Sequence, residues 1–84
     1  MGIQAMFLYQ HNGTKFSQEN VMKAGLVLGA SYDVESISMG QSNTAIYLVG
    51  YKQPFNSVHF EFFENDKQID IFRDKRFNPY LGCY

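Results

Sequence analysis

The stretch Phe55-Asn56-Ser57-Val58-His59-Phe60-Glu61-Phe62-Phe63 decides the fold, because apolar and polar side chains alternate along most of it. One face carries the apolar side chains of Val58, Phe60 and Phe62. The opposite face carries the polar side chains of Ser57, His59 and Glu61. A period of two is typical of a strand with one buried face. The stretch therefore predicts a half-buried β-strand over residues 56–63, with His59 facing solvent.

The charge and the cysteine content argue against several classes of protein. Seven basic and eight acidic residues give a net charge of −1, without the basic field that a phosphate-backbone binder needs. The single cysteine, Cys83, cannot form an intramolecular disulfide, which favours a reducing compartment. No apolar run reaches the length of a membrane span. We therefore expect a cytoplasmic protein that has a protein or small-ligand partner, does not bind a membrane and needs no cofactor.

The first part of the chain predicts a strand, a turn and a short helix. A short apolar run predicts a strand over residues 5–10, and Asn12-Gly13 is a strong hairpin-turn pair. Ser17 is placed to cap a helix over residues 18–24, and Gly25 follows its end. A helix of two turns needs tertiary packing to be stable.

The remainder of the chain predicts β-structure interrupted by polar turns. Strands are expected over residues 26–28, 32–39, 44–51, 56–63 and 68–73, turns over 40–43 and 64–67, and an aromatic-proline tail over 77–81 that crosses one end of the sheet. A change of phase predicts a bulge near residues 35–36.

Short strands joined by tight turns favour one small β-barrel. Eighty-four residues are enough for one hydrophobic core and too few for two, and eight Phe and six Tyr supply large core side chains. We predict a mainly β fold, an SH3-like β-barrel of four to five antiparallel strands, in preference to an OB-like barrel with longer strands and a mid-barrel helix. The single domain spans residues 1–84. Residues 1–21 are its N-terminal strand or arm and the start of the short helix, and residues 22–84 are the barrel.

Four short patterns give the sequence a resemblance to known proteins: Gly29-x-x-Tyr32-x-Val34, Ser42-x-Thr44-x-x-Tyr47-Leu48, Phe55-Asn56-Ser57-Val58-x-Phe60-Glu61-Phe62 and Phe77-Asn78-Pro79-Tyr80. The chain resembles small proteins carried by Gram-positive bacteria and by their phages or mobile elements, over about residues 22–81. The resemblance implies a genomic setting in which small domains often bind host or competitor proteins. It implies no active site.

An outward aromatic patch is the predicted binding site. The predicted strand over residues 44–51 is apolar on both faces. If Ile46 and Leu48 face the core, one group of side chains remains on the outer surface: Tyr47, Val49, Tyr51, Phe63 and Phe72. Exposed apolar patches of this kind usually mark contact with a partner. Two alternatives stay open, that the N-terminal strand covers the patch, or that a second copy of the chain binds there as a homodimer.

Other candidate sites are weaker. Arg73, Lys75 and Arg76 beside Phe72 and Phe77 could contact single-stranded nucleic acid, but acidic residues flank them. His59 and Glu61 share a predicted face, yet no further groups converge on them to form a catalytic or metal site. The sequence therefore predicts a non-enzymatic protein-binding module, a phage or mobile-element factor that binds or inhibits a host protein. The alternative is a single-stranded nucleic-acid-binding barrel.

Overall fold

The computed structural model describes residues 2–40 and 44–78. Over these ranges the chain forms six strands and one α-helix: β1 (Ile3–Phe7), α1 (Lys15–Lys23), β2 (Ser31–Met39), β3 (Thr44–Leu48), β4 (Phe55–Asn56), β5 (Phe60–Glu64) and β6 (Lys67–Ile69). Two 3-10 turns, Ser57–His59 and Ile71–Arg73, complete the described structure. The prediction of a mainly β protein with one short helix is confirmed.

The strands form one antiparallel sheet in the order β4-β3-β2-β1-β5-β6. β1 lies in the middle of the sheet and pairs with both β2 and β5. The sheet is open among the described residues, because its edge strands β4 and β6 are not paired with each other. None of the described helices is long and apolar enough to cross a membrane.

The long strand β2 joins the two halves of the sheet. Its first residues pair with β1, and its later residues pair with β3. The register shifts between Val34 and Ser36, so the predicted bulge near residues 35–36 is confirmed. A bulge increases the local twist and bends the strand. The bulge therefore allows β2 to pair with β1 in one half of the sheet and with β3 in the other.

The core is apolar and rich in aromatic rings. Its most deeply buried large side chains include Phe7, Phe55, Ile46 and Leu48. Phe60 lies between Phe7 and Phe55, with ring centroids 5.9 Å and 6.4 Å away. The Phe55–Phe60 pair packs edge to face and the Phe7–Phe60 pair is tilted, so the residues before and after the first 3-10 turn meet around one centre.

The stretch over residues 56–63 is not one continuous strand, and this corrects the prediction for His59. Asn56 accepts a hydrogen bond from the Val58 backbone N–H through its side-chain oxygen and so caps a 3-10 turn. The turn changes the side-chain phase. Val58 is consequently 41% exposed, whereas His59 is fully buried at 0%. The expected solvent-facing histidine is therefore a core residue.

The N-terminal segment differs from the prediction in its boundaries. The first strand ends at Phe7, and the turn at Asn12-Gly13 leads into α1 and not into a second strand of a hairpin. The helix begins at Lys15 with Thr14 as its N-cap, three positions before the expected start at residue 18. Gly25 has φ of +77° directly after the C-cap, as the sequence predicts.

Several later segments are shorter than predicted. Residues 26–28 are an irregular connection, in which Leu26 is buried and the next two side chains are exposed. The strand predicted over 44–51 ends at Leu48, and the one predicted over 68–73 becomes β6 and a 3-10 turn. The predicted turn at 64–67 is confirmed as the β5–β6 connection. Part of the predicted turn over 40–43, the end of the aromatic-proline tail, and Cys83 lie outside the described residues.

Candidate functional site

A groove of about 420 Å³ lies between the N-terminal half of α1 and the β3–β4 edge of the sheet. Its apolar lining consists of Phe16, Ala45, Pro54 and Phe55. Its polar lining consists of Thr14, Ser17, Asn20, Thr44 and Asn56. The volume lies within the range of small-ligand and peptide pockets.

Phe16 is the largest exposed side chain at the groove. It is 81% exposed, although it stands in the first turn of a helix that packs on the sheet. The core-facing positions of α1 are Ser17 and Val21, which are four residues apart and share one face. Phe16 is the residue before Ser17, so its side chain projects to one side of the core-facing surface of α1. There its ring can contact a ligand.

Hydrogen bonds hold α1 at the edge of the groove. The Ser17 backbone N–H donates to Thr14 Oγ1 at 3.1 Å, which caps the helix. The Asn20 side-chain amide donates to the carbonyl oxygen of Pro54 at 2.9 Å and ties the helix to the segment before β4. The first bond fixes the start of the helix wall, and the second joins the two walls of the groove.

The buried His59 connects the same helix to the first 3-10 turn. Its Nδ1 lies 2.7 Å from the carbonyl oxygen of Tyr9, and a carbonyl only accepts, so Nδ1 carries a proton. Its Nε2 lies 3.2 Å from Ser17 Oγ, and that hydroxyl lies 2.9 Å from the Thr14 carbonyl oxygen. Both ring nitrogens are occupied by partners within the fold, so the imidazole acts as a structural link.

Gly13 makes this close packing sterically feasible. Its φ is +77°, and a Cβ at this position would lie 2.5 Å from Ser17 Oγ and 3.0 Å from Val58 Cγ2. A larger residue would be strained at this φ and would displace the side chains of Ser17 and Val58.

The predicted aromatic patch is spread over several places in the structure. Tyr47 is half-buried on β3 opposite Ser36. Val49 is 60% exposed just after β3, and its backbone N–H donates to the Asp33 carbonyl oxygen at 3.0 Å. Tyr51 packs edge to face between Tyr32 and Phe55, with centroid distances of 6.0 Å and 5.6 Å. It is therefore partly engaged in the core.

The other two members of that patch lie at the far end of the sheet. Phe63 is half-buried on β5, between Gln4 of β1 and Gln68 of β6. Phe72 is 47% exposed in the second 3-10 turn. Several strands, about 4.8 Å apart, separate these positions from Tyr47 and Val49 in the order of the sheet.

The predicted basic cluster is largely paired with carboxylates. Arg76 makes two hydrogen bonds of 2.8 Å to Glu64 and a salt bridge of 2.6 Å to Asp74. These bonds to Arg76 lower the pKa of both carboxyls and raise the pKa of the guanidinium. Arg73 lies 3.6 Å from Asp70, and Lys75 is exposed. Arg76 would have to leave both partners to bind a phosphate.

Glu61 belongs to a separate polar cluster on the sheet. It accepts hydrogen bonds from the Tyr9 hydroxyl and from the Gln68 side-chain amide. The bond to Glu61 is the main reason that the pKa of Tyr9 is raised. His59 points instead to Ser17 and the Tyr9 carbonyl, so the two residues that the sequence places on one face do not form a common site. The described residues contain no group of three or more His, Cys, Asp or Glu arranged to hold a metal.

The groove is the feature that sequence reasoning missed. An aromatic residue in the first turn of the helix was the available indication, because Phe16 would have stood out once Thr14 was taken as the N-cap. The partner wall, formed by β3 and β4, depends on long-range pairing that no local pattern shows.

Comparison with known proteins adds the family. The family model described as Bacteriophage T4 protein Y07B matches residues 2–82. The chain belongs to this phage protein family. The match confirms the predicted resemblance at the level of a phage-related small protein. The Gram-positive setting and the specific strand motif stay predictions.

The match to the Y07B family also covers residues 2–21, which the sequence resemblance had left out, and therefore includes the central strand β1. No curated protein matches the chain, and no solved structure matches it.

Proposed function

We propose that this member of the Y07B family is a non-enzymatic protein-binding module, a phage factor that binds and inhibits a protein of the host cell. The observation that supports the proposal is the groove between α1 and the β3–β4 edge, with Phe16 81% exposed at its rim. An exposed aromatic side chain gives a large contact area at a low cost in conformational entropy. The occupant we propose is an uncharged apolar segment of the host protein.

The groove is a better candidate than the predicted aromatic patch because its groups converge. Phe16, Pro54 and Phe55 line one concave space, whereas Tyr47 and Phe72 lie at separate positions of the sheet. Concave apolar sites with a few polar groups are the usual ligand sites of proteins. Tyr47, Val49, Tyr51, Phe63 and Phe72 stay a prediction for a secondary contact surface, including one with a second copy of the chain.

An SH3-like barrel is part of the proposal. The strand order β4-β3-β2-β1-β5, the bulged strand shared by both halves of the sheet and the three-residue 3-10 link from β4 to β5 support it. In such a barrel α1 occupies the long connection between the first two strands. The groove beside it would then be the type of aromatic-lined groove with which SH3 domains bind peptides.

Single-stranded nucleic-acid binding through Arg73, Lys75 and Arg76 is supported less well. Two carboxylates already pair with Arg76, and no charged residue is among those that line the groove. The cluster would predict a salt-dependent gel shift with a labelled oligonucleotide at about 50 mM salt. Lack of a shift under those conditions would remove this alternative.

The proposal is tested by comparing two exposed phenylalanines. Wild-type protein, Phe16→Ala and Phe72→Ala would each be used to purify bound proteins from host cells, with the amounts measured by mass spectrometry. We expect at least one host protein to be retained by wild type and by Phe72→Ala and lost by at least tenfold with Phe16→Ala. Equal recovery with wild type and Phe16→Ala would contradict the groove as the binding site.

A further inference from the structure

One face of the sheet half that contains β2, β1, β5 and β6 points away from the core. Along β1, Ile3, Ala5 and Phe7 are buried, and the residues between them are exposed or half-buried. The strand pairings place the outward side chains in two rows that cross the strands. The first row is Asp33, Gln4, Phe63 and Gln68, and the second is Ser31, Met6 and Glu61. These seven side chains form the outer sheet face.

The outer sheet face carries negative charge that no cation in the described part of the chain neutralises. Its two carboxylates are accompanied by no Lys or Arg. Asp33 Oδ1 accepts a hydrogen bond from the Gln4 side-chain amide at 3.3 Å. Glu61 accepts from the Tyr9 hydroxyl and the Gln68 amide, which are also uncharged donors. A basic group of a partner would therefore gain a favourable charge interaction without first breaking an ion pair.

A small cavity beside Phe63 offers space for one cationic side chain. Its volume is about 220 Å³, and its lining is Gly2, Gln4, Asp33, Phe63, Asn65 and Asp66. This volume is below the range of about 300–1,000 Å³ that is usual for small-molecule sites, so the cavity suits a single side chain. Two carboxylates and an aromatic ring line it. An arginine side chain fits this lining best, because its planar guanidinium pairs with carboxylates and stacks on aromatic rings.

The two carboxylates of the face set the spacing of a ligand. Asp33 lies on β2 and Glu61 on β5, with β1 between them and their rows two residues apart, so their Cα atoms are about 12 Å apart. Two turns of an α-helix span about 11 Å. The backbone of β1 is paired with neighbours on both sides, so the face has few groups for an extended segment to bond. A helix satisfies its own backbone and can lie across such a face.

We infer that the outer sheet face binds an amphipathic α-helix of a protein partner that carries two basic residues seven positions apart, at least one of them arginine. The guanidinium enters the cavity between Asp33 and Phe63, and the second basic residue lies at Glu61. An apolar residue between them packs on Phe63 and Met6. The inference goes beyond the proposed function, because this surface shares no residue with the α1 groove.

The test uses a labelled, alanine-based helical peptide with two arginines seven positions apart and a leucine between them. A control peptide has citrulline, which is an uncharged analogue of arginine, at both positions. Fluorescence anisotropy measures the binding of each peptide to the full-length protein at about 10 mM and about 150 mM ionic strength. Asp33→Asn and Glu61→Gln each remove one charge from the face. Glu19→Gln is the matched control, because it removes one charge from an exposed position on α1.

We expect the citrulline peptide to bind at least tenfold more weakly than the arginine peptide. Asp33→Asn and Glu61→Gln should each weaken binding of the arginine peptide at least threefold, Glu19→Gln should leave it unchanged, and higher ionic strength should weaken it. Amide NMR spectra establish that each variant is folded, and they should show the largest shifts on β1, β2 and β5.

Three results would overturn the inference. They are no binding of the arginine peptide at low ionic strength, equal binding of the citrulline peptide, and a loss with Glu19→Gln as large as that with Asp33→Asn. A dimer of the wild-type protein that dissociates in Glu61→Gln would also overturn it, since a second copy of the chain would then occupy the face. Each of these results is independent of the recovery of a host protein by Phe16→Ala, which tests the proposed function.

Discussion

His59 and Ser17 are 42 residues apart in the sequence, and their side chains meet in the core with Nε2 and Oγ 3.2 Å apart. The second ring nitrogen of His59 bonds the carbonyl oxygen of Tyr9 at 2.7 Å. One imidazole thus links the turn before α1, the helix itself and the 3-10 turn that precedes β5.

Replacement of this imidazole should be costly. His59→Ala removes a fully buried ring together with its contacts to the Tyr9 carbonyl oxygen and to Ser17 Oγ, so we expect the free energy of unfolding to fall by about 3 kcal/mol. Urea denaturation measures the change. The neighbouring Val58→Ala is the control, because Val58 is 41% exposed and should cost about 0.5 kcal/mol or less. Similar losses for the two variants would contradict a structural role for His59.

The N-cap of α1 provides a second test. Thr14→Ala removes the acceptor for the Ser17 backbone N–H and should lower the free energy of unfolding by about 1 kcal/mol. Thr14→Ser keeps the hydroxyl and should remain within about 0.5 kcal/mol of wild type. If helix content and stability were unchanged in Thr14→Ala, the helix would not start at this residue.

The β5–β6 turn contains two residues in the left-handed region. Asn65 and Asp66 have φ of 51° and 65°, the signs that a two-residue type I′ hairpin turn requires. Asp66→Gly should raise the free energy of unfolding by about 0.5 kcal/mol and the melting temperature by a few degrees, because glycine adopts this conformation without strain. Asp66→Val should lower the melting temperature, with a loss of about 1 kcal/mol in the free energy of unfolding. The reverse order of the two melting temperatures would show that the turn has another conformation.

The Arg76 cluster should make stability depend on acid pH. Hydrogen bonds from Arg76 lower the pKa of Glu64 and of Asp74 below their ordinary values of 4.5 and 3.8. Between the lowered and the ordinary pKa values, the unfolded chain therefore binds more protons than the folded one. The stability that these pairs contribute is present above the ordinary pKa values and is lost as the pH falls through the lowered ones. Arg76 is exposed and the two carboxylates are partly exposed, so the effect is modest and decreases with salt.

Arg76→Gln tests this pH dependence directly. Carboxyl-carbon NMR titration should show the pKa of Glu64 and of Asp74 rising toward their ordinary values in the variant. The urea midpoints of wild type and variant should differ most near neutral pH and converge as the pH falls through the lowered pKa values of the two carboxyls. A pKa of Glu64 that is the same in both proteins would show that the pair does not form in solution.

Local patterns predicted part of the fold. The bulge of β2 and the turn at Asn65 and Asp66 follow from a phase change and from short-range turn chemistry, and both were predicted. His59 was misplaced because a period of two was extended through a stretch that the Asn56 side chain converts to a 3-10 turn. The displacement is confined to the turn, because Phe60 and Phe62 are buried as the alternation predicts, whereas Val58 and His59 are exchanged.

The candidate site was harder to predict because its two walls come from distant parts of the chain. Phe16 belongs to α1, and Pro54 and Asn56 belong to the β4 region. Their proximity depends on long-range pairing in a sheet that has β1 in its middle, whereas residues 1–21 were predicted only as an N-terminal strand or arm and the start of the short helix. The aromatic patch was predicted only from the alternation of inward and outward side chains along each strand. This alternation shows that a side chain faces outward, but not which other outward side chains lie beside it.

Site-specific photo-crosslinking inside host cells tests the central claim most directly. A benzophenone amino acid would replace Phe16 in one protein and Val49 in another, since both side chains are exposed and only Phe16 lines the groove. We predict a covalent adduct with one host protein from position 16 and none from position 49. An adduct from position 49 alone, or from neither position, would contradict the account that this phage protein binds its partner through the α1 groove.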